Sequence, residues 1–194
     1  MITSDEYKIH WWGIGANGSA SMFWAFTNIF NMPSKKGAGG RRNNYDNKSF
    51  KKGYKKIVNT RNPYEWITAV LFDHKQLDNF DDYIRNNLMN LELMKQVKQW
   101  EEDNITPDYF IKCDDMYGSL LKIPELKEDA EEHEEKLKEK VNTPKYDILG
   151  KGRARLVEGG WKPYWNQDLA DLLLSNKYAN RLFDLTGYDK ESWK

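Results

Sequence analysis

The 194-residue chain has little cysteine, no net charge and no long apolar run. Its single cysteine, Cys113, excludes an internal disulfide framework and a cysteine-rich zinc site, and it fits a reducing, cytoplasmic compartment. The longest run without a charged residue includes His10 to Ser34, but polar residues and glycines interrupt it, so no membrane span is predicted. The first residues, MITSDEYK, also lack the charged and then apolar order of a secretory signal peptide.

Aromatic residues are what the chain has in quantity. Apolar types make up only 39% of the sequence, but Phe, Trp and Tyr account for 14%, with eight tryptophans among them. Such large side chains can build a hydrophobic core, so disorder is not expected as the main state. The length fits one compact domain, and a single domain over residues 1–194 is predicted.

Positive charge is concentrated in one segment. Residues 35–56 carry nine Lys or Arg and one acid, Asp46, for a net charge of +8, whereas the stretch 78–140 is rich in Asp and Glu. Residues 33–55 show no hydrophobic period, which predicts a basic loop. In an otherwise neutral chain, this loop is either a solvated surface segment or a binding site for a local anionic ligand, rather than a general nucleic-acid coat.

Short apolar segments alternate with amphipathic ones along the chain. Strands are predicted at residues 7–12, 55–60 and 108–115, and helices at residues 19–30, 63–74, 78–102, 125–141 and 166–185. The helix at 125–141 is strongly charged, and His133 on it is interpreted as a surface or boundary residue, because one histidine without partners is no metal site. Gly187 is placed to cap the last helix. The alternation predicts an α/β fold with a parallel sheet.

A glycine-rich loop connects the first predicted strand to the first helix. From Gly13 to Ser21 its sequence is GIGANGSAS. Glycines here let backbone N–H groups approach a phosphate, and the helix N-terminus adds partial positive charge. The loop matches the G-x-G-x-x-G dinucleotide pattern, but residues 33–40 supply neither the second strand nor the acid that this pattern requires. No Lys follows Gly18, which argues against a Walker A loop. A loop for another phosphate-bearing ligand and a purely structural turn remain open.

Two further motifs place cations where an anion could bind. Arg61 follows the strand KKIVNT and opens the next helix, and an Arg at the carboxyl end of a strand either forks onto a phosphate or pairs with a local acid. The second motif begins with Lys151, Gly152 and Arg153 and is followed by Trp161. Cations among glycines can wrap an anionic ligand, and Trp161 could pack on it.

Taken in order, these motifs resemble those of the sulfotransferases that use 3′-phosphoadenosine 5′-phosphosulfate. In that family, a loop of the form basic-x-Gly-Ser/Thr-x-Ser/Thr binds the 5′-phosphosulfate, and residues 16–21 stand in its place. A strand followed by Arg-Asn/Asp-Pro-aromatic-Glu binds the 3′-phosphate, and IVNTRNPYEW matches it. The strand YFIKCDDM and the C-terminal pair GKGRARLVEGGWKPYW and YANRLFDLTGYD are also similar. The resemblance spans roughly residues 7–189.

The resemblance implies a fold, a cosubstrate and a set of binding residues. The fold is a P-loop-like three-layer α/β fold with a central parallel sheet flanked by helices. The cosubstrate is 3′-phosphoadenosine 5′-phosphosulfate, without a metal, and the acceptor is a hydroxyl or amine, for example on an anionic glycan or a small alcohol. Thr68 is included among the binding residues because Ala69 stands where the family has a Ser. The residues implied in nucleotide binding are Gly15, Asn17, Gly18, Ser19, Ala20, Ser21, Arg61, Thr68, Lys151, Gly152, Arg153 and Trp161.

The family's catalytic groups are not all at their usual positions in this chain. Ala16 stands where the family's loop cation contacts the transferring sulfuryl group, and Arg41 of the basic loop is a candidate substitute. The base that removes the acceptor's proton is a His or Glu in the family. The distance before Arg61 places it near Asp46. His10 on the first strand and Asp73 or His74 at the end of the second helix are the other candidates.

Three other functions remain open. A degenerate member of the family would bind a nucleotide without catalysis, as the missing loop cation suggests. The hypothesis that the chain is a kinase or an NAD(P) enzyme depends on the glycine loop alone. A nucleic-acid-binding module rests on residues 35–56, where Tyr45, Phe50 and Tyr54 are interleaved for stacking on bases, although overall neutrality makes nucleic acid the less favoured partner.

Overall fold

The computed structural model describes residues 2–13, 19–33, 51–73, 77–142 and 160–194. The chain divides into two compact units. The first comprises residues 1–61 and 105–143, and the second comprises residues 62–104 and 144–194. The first unit contains a sheet with helices and the second is built from helices, so the α/β class predicted from the sequence is confirmed.

A four-stranded sheet forms the first unit. Its strands, in spatial order, are β1 (Ile2–Ser4), β2 (Ile9–Trp12), β3 (Lys55–Thr60) and β4 (Tyr109–Lys112). The last three strands are parallel to one another, as predicted. The first strand pairs with β2 in the antiparallel sense, so the sheet is mixed and not wholly parallel. Only four residues separate β1 from β2, and a connection that short joins antiparallel strands.

The turn between β1 and β2 also shortens the first predicted strand. Tyr7 and Lys8 lie in the turn, and the backbone of Lys8 is left-handed, with φ of 53°. A non-glycine residue in that region is uncommon, and neither apolar periodicity nor residue type marked it. The strand therefore starts at Ile9 instead of Tyr7.

One face of this sheet packs against helices of the same unit. The buried strand residues Ile9, Trp11, Ile57 and Ile111 share a cluster with residues of α1 (Ser19–Asn28). The other helices of this layer are α5 (Met116–Leu120), α6 (Lys127–Glu132) and α7 (Glu134–Asn142), which follow three helices of the second unit in the chain. Large apolar side chains at alternate strand positions drive this packing because their burial removes apolar surface from water.

The charged helix predicted at residues 125–141 is two helices. They meet at His133, whose φ of −112° and ψ of 25° lie outside the helical region. Ala130 and Leu137 are buried on either side of the break, as the amphipathic pattern predicted. His133 is half-buried, which agrees with its interpretation as a boundary residue.

In its described residues, the second unit consists of helices and short 3₁₀ turns. They are α2 (Pro63–Asp73), α3 (Phe80–Asn87), α4 (Glu92–Glu102), α8 (Gln167–Ser175) and α9 (Lys177–Thr186). The single helix predicted at 78–102 breaks at Leu91, which is extended, with ψ of 136°. The predicted C-terminal helix breaks at Asn176, whose side chain caps α9. Among the described helices, none has the length and apolar character needed to cross a membrane.

Candidate functional site

The carboxyl ends of three parallel strands meet at one edge of the sheet. β2 ends at Trp12, β3 at Thr60 and β4 at Lys112. The register pairs Thr60 with Lys112, and the Cys113 N–H donates to the Thr60 carbonyl at 2.8 Å, so β3 and β4 end level with each other. In open α/β sheets, ligands bind outside this edge.

Helix α1 directs its N-terminus toward the same edge. The ring of Trp11 lies 5.3 Å from that of Phe26, and the ring of Tyr7 lies 6.2 Å from that of Phe30. The start of β2 therefore lies beside the end of α1, so the strand and the helix run antiparallel to each other. Ser19, the first residue of α1, consequently lies at the carboxyl end of β2.

The first turn of α1 carries three of the residues implied in phosphosulfate binding. Ser19, Ala20 and Ser21 open the helix, and the Ser21 side chain is partly exposed. N–H groups in a first helical turn lack partners within the helix and carry partial positive charge. An anion at this position would meet those donors. The remaining loop residues of this prediction, Gly15, Asn17 and Gly18, lie outside the described residues.

Arg61 directly follows β3 at the same edge of the sheet. It is partly exposed, between the buried residues Thr60 and Asn62. Strand β3 holds its backbone, and the helix that begins at Pro63 fixes the residue after it. The described structure thus places Arg61 and the residues Ser19 to Ser21 at one edge of one sheet.

Asn62 is a helix cap that the sequence interpretation did not identify. Its Oδ1 accepts the Tyr64 N–H at 3.0 Å, and its carbonyl accepts the Trp66 N–H at 2.8 Å. Its Nδ2 donates to Ser192 Oγ at 2.7 Å. The preference of Asn for the N-cap position, directly before a proline at the first helical position, was the signal that could have found it.

Tyr64 of the Arg-Asn-Pro-aromatic motif is a core residue. It is fully buried, and its hydroxyl donates to the Lys190 carbonyl at 2.8 Å. Its ring contacts those of Trp161, Trp165 and Phe183 at centroid distances of 6.1, 4.7 and 5.2 Å. Burial raises the pKa of the Tyr64 phenol above its usual range. The aromatic position of the motif therefore joins α2 to the C-terminal residues.

Thr68 is fully buried on α2, with its hydroxyl engaged twice. Its Oγ1 donates to the Tyr64 carbonyl at 2.9 Å and accepts the Trp165 indole N–H at 3.0 Å. Because a phosphate oxygen accepts hydrogen bonds, a phosphate contact at Thr68 would take the hydroxyl proton away from the Tyr64 carbonyl. Its role in nucleotide binding stays a prediction.

Trp161 is partly exposed and stacks on Tyr64 with the two rings nearly parallel, at 4°. Lys162 Nζ lies 6.0 Å from the centre of the Trp161 ring and also bonds the Lys194 carbonyl. Tyr64 thus holds the indole in a fixed orientation. The residues of the basic glycine loop predicted beside it, Lys151, Gly152 and Arg153, lie outside the described residues.

His10, one of the candidate bases, is buried with both ring nitrogens engaged. Nε2 accepts the Lys51 N–H at 2.9 Å, so the neutral ring carries its proton on Nδ1, which donates to Thr3 Oγ1 at 2.8 Å. Burial lowers the pKa of the imidazole below 6.5; Lys51 lowers it further, against a smaller opposing effect of Asp5. His10 would have to give up one of these bonds to take an acceptor's proton. Of the other candidate bases, Asp73 is the last residue of α2, and Asp46 and His74 lie outside the described residues. Arg41, the candidate substitute for the loop cation, also lies outside them.

The ionic cluster around Asp5 was also missed by sequence interpretation. The Asp5 carboxylate accepts from Lys51 Nζ at 2.6 Å and from the Tyr54 hydroxyl. These residues are 46 and 49 positions apart from Asp5, so no local pattern could have joined them.

Within the described ranges, His, Cys, Asp and Glu form no group of three or more that could hold a metal ion. Comparison of the chain with family models, curated proteins and solved structures gave no match.

Proposed function

We propose that the chain is a sulfotransferase that transfers a sulfuryl group from 3′-phosphoadenosine 5′-phosphosulfate to a hydroxyl or amine acceptor. The observation that supports this proposal best is the shared position of the first turn of α1 and of Arg61. Both lie at the carboxyl edge of the parallel strands, in the order that the family motifs require. The proposal extends to the three-layer P-loop-like arrangement of sheet and helices.

In this proposal the two phosphates of the donor are recognised by different elements. The first-turn N–H groups of α1, with the Ser19 and Ser21 residues, hold the 5′-phosphosulfate. Arg61 holds the 3′-phosphate, since a guanidinium can donate two parallel hydrogen bonds to phosphate oxygens. Lys151 and Arg153 supply further positive charge, and Trp161 packs on the nucleotide.

The reaction is an in-line displacement at sulfur. The acceptor oxygen or nitrogen forms a bond to sulfur while the bond from sulfur to the 5′-phosphate oxygen breaks, and 3′-phosphoadenosine 5′-phosphate leaves. The protein positions the two reactants and stabilises the negative charge that develops on the leaving oxygen. A base, Asp46 or His10, takes the acceptor's proton, and Arg41 contacts the transferring group.

Titration calorimetry with 3′-phosphoadenosine 5′-phosphate tests the nucleotide site. We expect micromolar binding, with much weaker binding of ATP and NAD. Arg61→Ala should reduce the affinity about tenfold or more, because a hydrogen bond to a charged group contributes about 1.5–3 kcal/mol. Arg181→Ala, on the exposed side of α9, is the matched control and should bind like the wild type. Equal binding of all three nucleotides, or no loss in Arg61→Ala, would contradict the proposal.

Transfer itself is tested by supplying the labelled donor with phenolic, alcoholic and glycan acceptors. Labelled product that forms with the wild type but not with Arg61→Ala supports the proposed sulfuryl transfer. Binding of the bisphosphate with no transfer to any acceptor class instead supports the degenerate, non-catalytic member of the family. Salt-sensitive binding of single-stranded nucleic acid without nucleotide binding would support the nucleic-acid module.

A further inference from the structure

Residues 51–54 are held against the turn after β1 by four side chains that we term the His10 clasp: Asp5, His10, Lys51 and Tyr54. His10 Nε2 accepts the Lys51 N–H at 2.9 Å, and the His10 ring lies 4.9 Å from the Tyr54 ring. Asp5 accepts from Lys51 Nζ at 2.6 Å and from the Tyr54 hydroxyl. The clasp joins the C-terminal part of the basic segment to a turn more than 40 residues earlier.

The buried and exposed bonds of the clasp differ in strength. His10 is 1% exposed, whereas the side chains of Lys51 and Asp5 are 53% and 70% exposed. An exposed ion pair contributes little to stability because water and salt screen it. The bond from the Lys51 amide ends on the buried His10 ring and is partly shielded from water, so it contributes more to holding the segment.

We propose that the His10 clasp is a pH-sensitive device that releases the backbone at Lys51 when the imidazole takes up a second proton. An imidazolium carries N–H groups on both nitrogens, so Nε2 can no longer accept a hydrogen bond. The Lys51 N–H would then face another N–H at the present distance of 2.9 Å. The two donors repel each other, and the segment must move away.

The charges around the ring favour the closed clasp at neutral pH. Among the described groups, Lys51 and Lys56 oppose the imidazolium and Asp5 favours it, and burial opposes it most strongly, so the pKa of His10 is lowered. Hydrogen bonds from Lys51 and Tyr54 lower the pKa of Asp5 below 3.8, so this carboxylate stays charged above pH 5. His10 is the clasp member whose ordinary pKa lies between pH 5 and pH 8.

The direction of the switch follows from proton linkage. The closed clasp holds the neutral ring and lowers the pKa of His10, whereas opening removes the Lys51 N–H from Nε2, so the pKa of His10 is higher in the open state. The open state therefore binds more protons, and lowering the pH through the range of the two pKa values shifts the population toward it. The ion pair of Lys51 with Asp5 remains in the open state and acts as a tether.

Nuclear magnetic resonance of the full chain between pH 8 and pH 5 tests the device. We expect the Lys51 amide and the His10 ring to change with one common midpoint, below pH 6.5. Hydrogen-exchange protection of the Lys51 amide, corrected for the intrinsic rate, should fall about tenfold for each unit by which the two pKa values differ. His10→Gln, which cannot titrate, should remove this pH dependence. His133→Gln, a matched substitution at the junction of α6 and α7, should retain it.

Two results would overturn the proposal. One is a Lys51 amide whose shift and protection stay constant while the His10 ring titrates. The other is a His10→Gln protein that keeps the loss of protection at low pH. If His10→Gln does not fold, agreement or disagreement of the two wild-type midpoints still decides. The test uses no nucleotide, so its outcome is independent of the proposed transferase activity.

Discussion

The indole N–H of Trp165 donates to the Thr68 hydroxyl at 3.0 Å, and both residues are buried. They are 97 positions apart in the chain. Trp165 also packs edge-to-face against Tyr64 and Phe80, with centroid distances of 4.7 and 5.3 Å. One hydroxyl thus satisfies the polar group of a large aromatic cluster, which gives Thr68 a structural role whatever else it binds.

Thr68→Val should destabilise the protein by about 1–3 kcal/mol, because it leaves the buried Trp165 N–H without its acceptor. In a protein that already carries Trp165→Phe, Thr68→Val should destabilise the fold less, since the indole N–H that needs the Thr68 hydroxyl is absent. A double-mutant cycle by urea unfolding should give a coupling of about 1 kcal/mol between the two sites. Effects that simply add would show that the hydrogen bond contributes nothing to stability.

Asn62→Ala should destabilise the protein by about 1–2 kcal/mol, because the Tyr64 N–H loses its cap and Ser192 loses a partner. Asn62→Asp should stay close to the wild type, since a carboxylate caps the helix and can accept from the Ser192 hydroxyl. Thermal unfolding of both variants measures the difference. An Asp variant as unstable as the Ala variant would contradict the capping role.

Tyr7→Phe should destabilise the protein by about 1 kcal/mol, because it removes the hydrogen bond of 2.5 Å to Asp129 on α6. Burial and then this bond raise the pKa of Tyr7 above 10.0. The stability that the phenol contributes is therefore complete below pH 10 and is lost as the pH rises through the folded-state pKa.

The stability difference between the wild type and Tyr7→Phe should accordingly be constant from pH 7 to pH 9 and shrink above pH 10. Urea unfolding at each pH measures it. Asp129→Asn keeps an acceptor for the phenol, so it should lower the free energy of unfolding less than Tyr7→Phe does. A stability difference between the two proteins that grows above pH 10 would contradict this prediction.

Elements marked by local chemistry were predicted well. The strand KKIVNT is β3 residue for residue, because a β-branched apolar run ends at an Arg and a helix start. The start of α2 at residue 63 and the cap at Gly187 were also confirmed. Gly187 has φ of 65°, and its N–H donates to the Phe183 carbonyl at 2.8 Å.

Breaks within long amphipathic stretches were predicted poorly. Leu91 and Asn176 interrupt two helices that apolar periodicity had joined, and His133 interrupts a third. The apolar positions stay on the buried side across each break, so periodicity alone does not reveal it. The strand β1 has only three residues, too few for a pattern, and its antiparallel pairing depends on the turn that follows.

The candidate site shows the same division. Sequence by itself determined that Ser19 to Ser21 open a helix after one strand and that Arg61 follows another strand, because residue type and spacing encode local conformation. Only the tertiary structure decided that β2 and β3 are parallel neighbours, which brings both groups to one edge of the sheet. The hydrogen bond from Lys51 to His10 and the bond from Trp165 to Thr68 likewise depend on the tertiary structure, because the partners lie in distant parts of the chain.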